Sequence, residues 1–190
     1  MGLDIRAYSN IKRAENQSIT NCESDNLIKI WTGNFPDHCE FEDGYYEETH
    51  TTREYHFSAG SYRSYNKFRD ILSYLIHGVP ASTIWEDEYS YQSKPFVEML
   101  NFSDCEGIIG TLFSEKLYHD FKDNRDRFIR NLRHEVDFTK ETEDPLAFET
   151  EFSIQVYQFT EDEILEYIEE YDEWLKVYAI AMDNGIVMFQ

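Results

Sequence analysis

Two short stretches hold the residue types that chemistry needs. In "NFSDCEG", residues 101–107, Asp104 and Glu106 bracket Cys105 just after an apolar run. Carboxylates leaving the end of a regular element are placed to move protons or to bind a hard divalent cation. The same residues also build turns: Asp104 with Gly107 suits an Asx-type turn, and two carboxylates supply fewer oxygens than such a cation takes. Cys105, between two acids, lacks the electropositive surroundings that activate a thiol.

In "HFSAGSY", residues 56–62, His56, Gly60, Ser61 and Tyr62 fall where an alternating pattern gives way to a helical one. The free amides of a helix's first turn attract anions, so this junction could receive a phosphate or carboxylate beside a histidine. The competing reading is that Ser61 caps the helix and Gly60 supplies the turn. The stretch lacks the GxxxxGK[ST] spacing of a phosphate-binding loop. His56, Gly60, Ser61, Tyr62, Asp104 and Glu106 are therefore the candidate ligand-binding residues, and no residue is assigned a catalytic role. No metal or cofactor is expected. The six histidines lack HExxH or HxH spacing, and the three cysteines, Cys22, Cys39 and Cys105, lack CxxC spacing.

The elements that must position these residues are legible from periodicity. "GLDIRAY" alternates Leu3, Ile5 and Ala7 with polar residues, and "LIKIW" and "EYHFSA" repeat the pattern, so three strands are expected. From Tyr65 the apolar positions 68, 71, 72, 75 and 76 share one helical face, with Gly78 and Pro80 as the stop. "STIWEDEYSYQSKP" reads as a loop before the short apolar run "FVEML", and if "FVEMLNF" is a strand entering the core, Asp104 and Glu106 leave its end. From Ser114 one long helix or two consecutive ones are expected, with Asn124 as the place for a break. "FSIQVYQF" could be a strand. The last helix is the clearest: Thr160 and Glu163 form a capping box, and Ile164, Ile168, Tyr171, Leu175, Tyr178 and Met182 form its stripe. Gly185 ends it, and "IVMFQ" follows as a strand. Strands and helices interleave without a regular βαβ period. The expectation is one α+β domain over residues 1–190, a mostly antiparallel sheet packed with about three to four helices.

The chain has 190 residues and a formal net charge of -21, from 17 Lys and Arg against 38 Asp and Glu. Residues 141–190 hold fourteen acids and one lysine, so more than half of the excess lies there. Such charge repels phosphates and favours basic partners. Direct nucleic-acid binding is not expected. "KDNRDRFIRNLRH", residues 122–134, is the one basic region, and its arginines are expected to pair with the acidic last helix or the connector before it. No apolar window reaches the ~20 residues of a membrane span, and the N-terminus lacks the layout of a secretory signal. An odd cysteine count without metal spacing points to a reducing, cytoplasmic setting.

"MGLDI", "HFSAGSYRSYNKFRDIL", "FVEMLNFSDCEGIIG" and "YDEWLKVYAIAMDNGIVMF" resemble the corresponding blocks of a widespread family of small bacterial and phage proteins. The resemblance covers most of the chain and implies no activity, only that the Gly60 and Asp104 turns are its recognisable features. The function expected from the sequence is a non-enzymatic acidic protein that engages a basic partner protein. The alternative is a small-molecule binding protein or hydrolase with its pocket between the two turns. The sequence does not set an oligomeric state.

Overall fold

The computed structural model describes residues 2–15, 17, 27–103, 105–133 and 159–190. "FSIQVYQF" falls almost wholly outside them, as do Asp104 and Cys22. The architecture is α+β, with two antiparallel sheets and six α-helices among the described residues.

The larger sheet has the order β5-β1-β7-β6, with β1 Gly2–Tyr8, β5 Glu54–Ser61, β6 Gly107–Ile109 and β7 Ile186–Phe189. The smaller has the order β2-β4-β3, with β2 Lys12–Arg13, β3 Leu27–Ile30 and β4 Gly44–Glu47. Strand side chains alternate between faces, and the large sheet uses both. Leu3, Ile5, Ala7, Ile109, Val187 and Phe189 enter the main core under the helices. Tyr8, Ile108 and Ile186 point the other way, into a smaller cluster with Ile28, Ile30 and Tyr46 of the second sheet. Gly185 makes the tight entry to β7, because a Cβ there would sit 1.8 Å from the Tyr8 carbonyl oxygen.

Three long helices cover the main core. In α1, Tyr62–His77, Ser61 is the N-cap, its Oγ accepting from the Ser64 amide at 3.1 Å, and Gly78 closes the helix with φ 76°. Tyr65, Phe68, Leu72 and Ile76 form its buried stripe. α5, Thr111–Arg133, runs unbroken through Asn124, because the Asn124 amide donates to the Asp120 carbonyl one turn back instead of interrupting the helix. α6, Glu161–Ala181, begins with the expected capping box in both directions. Its buried line is Ile164, Tyr171, Trp174, Val177, Tyr178 and Ala181. Ile168 and Leu175, read from the sequence as part of this stripe, are only half-buried at its margin.

Three shorter helices correct the sequence reading. The expected loop folds as α2, Ala81–Glu86, and α3, Glu88–Tyr91. Asp70 helps to start α2 by accepting from the Ala81 amide. "FVEML" is not a strand: Val97–Leu100 form α4, entered through Phe96 at φ 66°. Phe96, Met99 and Leu100 are wholly buried, so no exposed face gave this run a period from which to choose.

Candidate functional site

The Gly60 turn and the Glu106–Gly107 start of β6 lie toward the same end of the large sheet but on its opposite edges. Ser61 pairs with Gly2 on β1, Ile5 of β1 pairs with Phe189 on β7, and Phe189 pairs with Gly107 on β6. Three strand spacings put the two edges roughly 14 Å apart. Gly60 lines one recess and Glu106 another, and the two share no lining residue.

Most candidate residues at the first turn have structural work. Gly60 takes φ 76°, where an added Cβ would also press on Ser64 at 3.2 Å. Ser61 is spent as the cap, Tyr62 is half-buried against the core, and His56 is exposed on β5 opposite Arg6. At the second turn, Ser103 does the work expected of an aspartate. Its Oγ accepts from the amides of Cys105 at 3.2 Å and Glu106 at 3.1 Å. Gly107 packs so close to Phe102 that a Cβ would come within 2.6 Å of the ring. Glu106 and Cys105 are exposed. Asp104 lies outside the described residues.

A buried arginine ties the two conspicuous blocks together. Arg69 of α1 is only 4% exposed. Its Nη1 donates to the carbonyls of Leu100 at 3.1 Å and Phe102 at 2.6 Å, and its Nη2 donates to Asn66 Oδ1. The guanidinium also lies over the rings of Tyr65 and Trp85, at 4.8 and 5.2 Å. Trp85 adds an indole N–H to the Leu100 carbonyl at 2.6 Å. The planar fork of Arg69 thus holds the chain leading into "NFSDCEG" by its backbone. The sequence held a signal for this, an arginine beside Phe68 at the edge of an apolar stripe.

A strongly acidic concavity lies elsewhere. A trough of about 660 Å³ runs between the end of β5 and α6, lined by Gly60 and Ser64 on one side and by Glu166, Glu169, Glu170 and Glu173 on the other. Lys176 is the one basic side chain in its lining, and it binds Glu173 at 2.7 Å. Tyr55 donates to the other oxygen of Glu173. Glu166 and Glu169 are exposed. Glu170 is largely buried, which pushes its carboxyl up to about 8. The nearby Trp174 indole N–H opposes that rise, although neither it nor Glu170 Oε1 makes a well-formed hydrogen bond.

Several arginines of the basic stretch of α5 bond within the chain although most of them remain exposed. Arg125 grips Asp172 of α6 with two bonds of 2.7 Å, Arg133 meets Glu161 at 3.3 Å, and Arg127 donates to the Ile76 carbonyl. The Arg125 and Arg133 contacts are the α6 pairings expected from the sequence, whereas Arg127 bonds to α1.

Among the described residues, no group of three His, Cys, Asp or Glu side chains is placed to hold a metal ion. No described helix is long and apolar enough to cross a membrane. Cys39 is buried, which raises its thiol to about 11, and Cys105 is exposed; both are free. No protein-family model, curated protein or solved structure matches the chain.

Proposed function

We propose that this is a non-enzymatic interaction protein whose acidic surface engages a basic partner protein in the cytoplasm. The carrying observation is the unequal use of its charges. Lys12, Arg13, Arg53, Lys116, Arg125, Arg133 and Lys176 are all committed to carboxylates of the same chain. Acids outnumber bases by 38 to 17, so many carboxylates remain for a partner. Glu166 and Glu169 present theirs at the mouth of the α6 trough. Such a field accelerates encounter with a cationic surface and repels nucleic acid. A small-molecule site or hydrolase between the two turns would need one shared cleft, whereas Gly60 and Glu106 line separate recesses.

Affinity capture at low and moderate salt tests this reading. The expected result is enrichment of basic proteins that weakens as salt rises and falls in the double variant Glu166→Lys with Glu169→Lys. Partners without basic surfaces, or binding indifferent to salt and to charge reversal, would reject it. A gel shift showing saturable nucleic-acid binding at low salt would reject its second half.

A further inference from the structure

Among the described residues, large exposed rings are few and unevenly placed. Trp31 is 60% exposed, Trp85 49% and Tyr89 89%. Trp31 borders a recess with Ser103, Cys105, Glu106 and Gly107, Trp85 bonds to the Leu100 carbonyl just before them, Tyr89 follows Trp85 by four residues in sequence, and none of the three lines the α6 trough. Trp31 and Phe35 form one wall of a recess of about 230 Å³, and Ser103, Cys105, Glu106 and Gly107 form the other. Phe35 stacks against Phe102 and against His38, with ring centroids 4.7 and 5.6 Å apart. Glu88 of α3 is near enough to His38 to favour its protonated form against the burial that lowers it. Glu88 is thus close to the recess, and its neighbours in sequence are Tyr89 and the acids Glu86 and Asp87. Trp85 is anchored to the same turn through the Leu100 carbonyl.

We infer that this face is the anchoring surface for the basic partner, and that it takes an arginine-bearing segment whose guanidinium groups stack on Trp31 and Trp85 between the carboxylates of Glu88 and Glu106. This inference rests on the proposed preference for basic partners and adds the place and the chemistry of the contact.

Charge complementarity selects the occupant. Aromatic faces attract cations, and more so guanidinium, which is planar and weakly hydrated. Glu86, Asp87, Glu88 and Glu106 surround the rings with negative charge, which disfavours an acidic or nucleic-acid occupant. Trp85 already carries Arg69 of its own chain over its ring. That internal stack is the arrangement an incoming guanidinium would repeat. Trp85 is also held in place by its indole bond to the Leu100 carbonyl, and the recess beside Trp31 is walled by Phe35 packed on Phe102. Little side-chain freedom is then lost on binding, as in interfaces where a few rigid aromatic anchors dominate.

The test uses the full-length protein, a short arginine–serine peptide, and the same peptide with each arginine replaced by citrulline, which keeps the size and removes the charge. Binding is read by quenching of tryptophan fluorescence and by titration calorimetry. The arginine peptide is expected to bind at least about tenfold more tightly than the citrulline peptide. Trp31→Ala and Tyr89→Ala are each expected to weaken it about threefold or more, mostly through faster dissociation. Both side chains are largely exposed, so thermal melts should match the parent. Glu166→Gln with Glu169→Gln is expected to slow association while leaving dissociation within about twofold. Loss of binding in that trough variant, with Trp31→Ala and Tyr89→Ala unaffected, would overturn the anchoring surface and leave the proposed function standing. Equal binding of the two peptides, or binding of neither, would overturn both.

Discussion

The α6 trough and the face around the "NFSDCEG" turn divide between them what a binding surface needs. The trough has charge without large exposed rings: Glu166 and Glu169 stand at its mouth, while Trp174 is fully buried next to Glu170. The turn face has Trp31, Trp85 and Tyr89 exposed among fewer acids. Long-range charge sets the rate of encounter, and desolvated aromatic contacts set the lifetime of the complex. An acidic protein need not bind where it is most acidic. The two regions also differ in their foundations, since a buried cation supports one and a buried carboxyl the other.

Removing the cation should give the largest effect. Arg69→Ala removes the arginine's bond to the Phe102 carbonyl, leaves the Leu100 carbonyl with the Trp85 indole alone, and empties a buried site, so chemical denaturation should show a loss of about 3–5 kcal/mol. Arg69→Lys should recover little of it, because a single ammonium cannot serve the Leu100 and Phe102 carbonyls and Asn66 Oδ1 together, as Nη1 and Nη2 of the planar guanidinium do. A loss below about 1 kcal/mol would mean that the turn does not depend on the clamp.

The carboxyl under the trough should act in the opposite sense. Its folded-state value of about 8 lies above the ordinary 4.5. Below the ordinary value Glu170 is protonated whether folded or unfolded, and it adds no penalty. Between the two values only the unfolded chain ionises, so stability falls as pH rises, and the loss is complete above the folded value. Glu170→Gln should therefore stabilise the protein above pH 8 by roughly 1–3 kcal/mol and by nearly nothing near pH 4. Paired denaturation curves at the two pH values would show this, and a pH-independent gain would contradict it.

The turn itself should respond modestly. Ser103→Ala removes the acceptor of two amides and should cost about 0.5–1.5 kcal/mol. Glu106→Gln should change stability by less than about 0.5 kcal/mol, because the side chain is exposed. Thermal melts of these two variants, with and without added divalent metal, separate a turn from a metal site. A metal-dependent rise in Tm that disappears in Glu106→Gln would replace the structural account of this turn with a functional one.

Much of the scaffold was legible because its residues answer to local rules. The alternation of Leu3, Ile5 and Ala7 marked β1, the reciprocal bonds of Thr160 and Glu163 marked the start of α6, and the positions from Tyr65 to Ile76 marked α1. Where local rules compete, the reading stayed open. One helix or two could be read around Asn124, which bonds back into a single long helix, and the five residues of "FVEML" were too few and too uniformly buried to show a helical period.

The candidate site was legible only as two turns. Their spacing across four strands depends on β1 and β7, whose segments lie at opposite ends of the chain, and no local pattern encodes that distance. The sequence by itself determined the charge, its concentration toward the C-terminus, and the elements whose hydrophobic period is unambiguous. Tertiary structure decided which side chains those elements enclose. It put Arg69 beneath a turn some thirty residues away, placed Glu170 against Trp174, and left Trp31 and Trp85 in solvent. The physical reason is that burial, which fixes the cost of a charge and the availability of a ring, is imposed by packing partners distant in sequence.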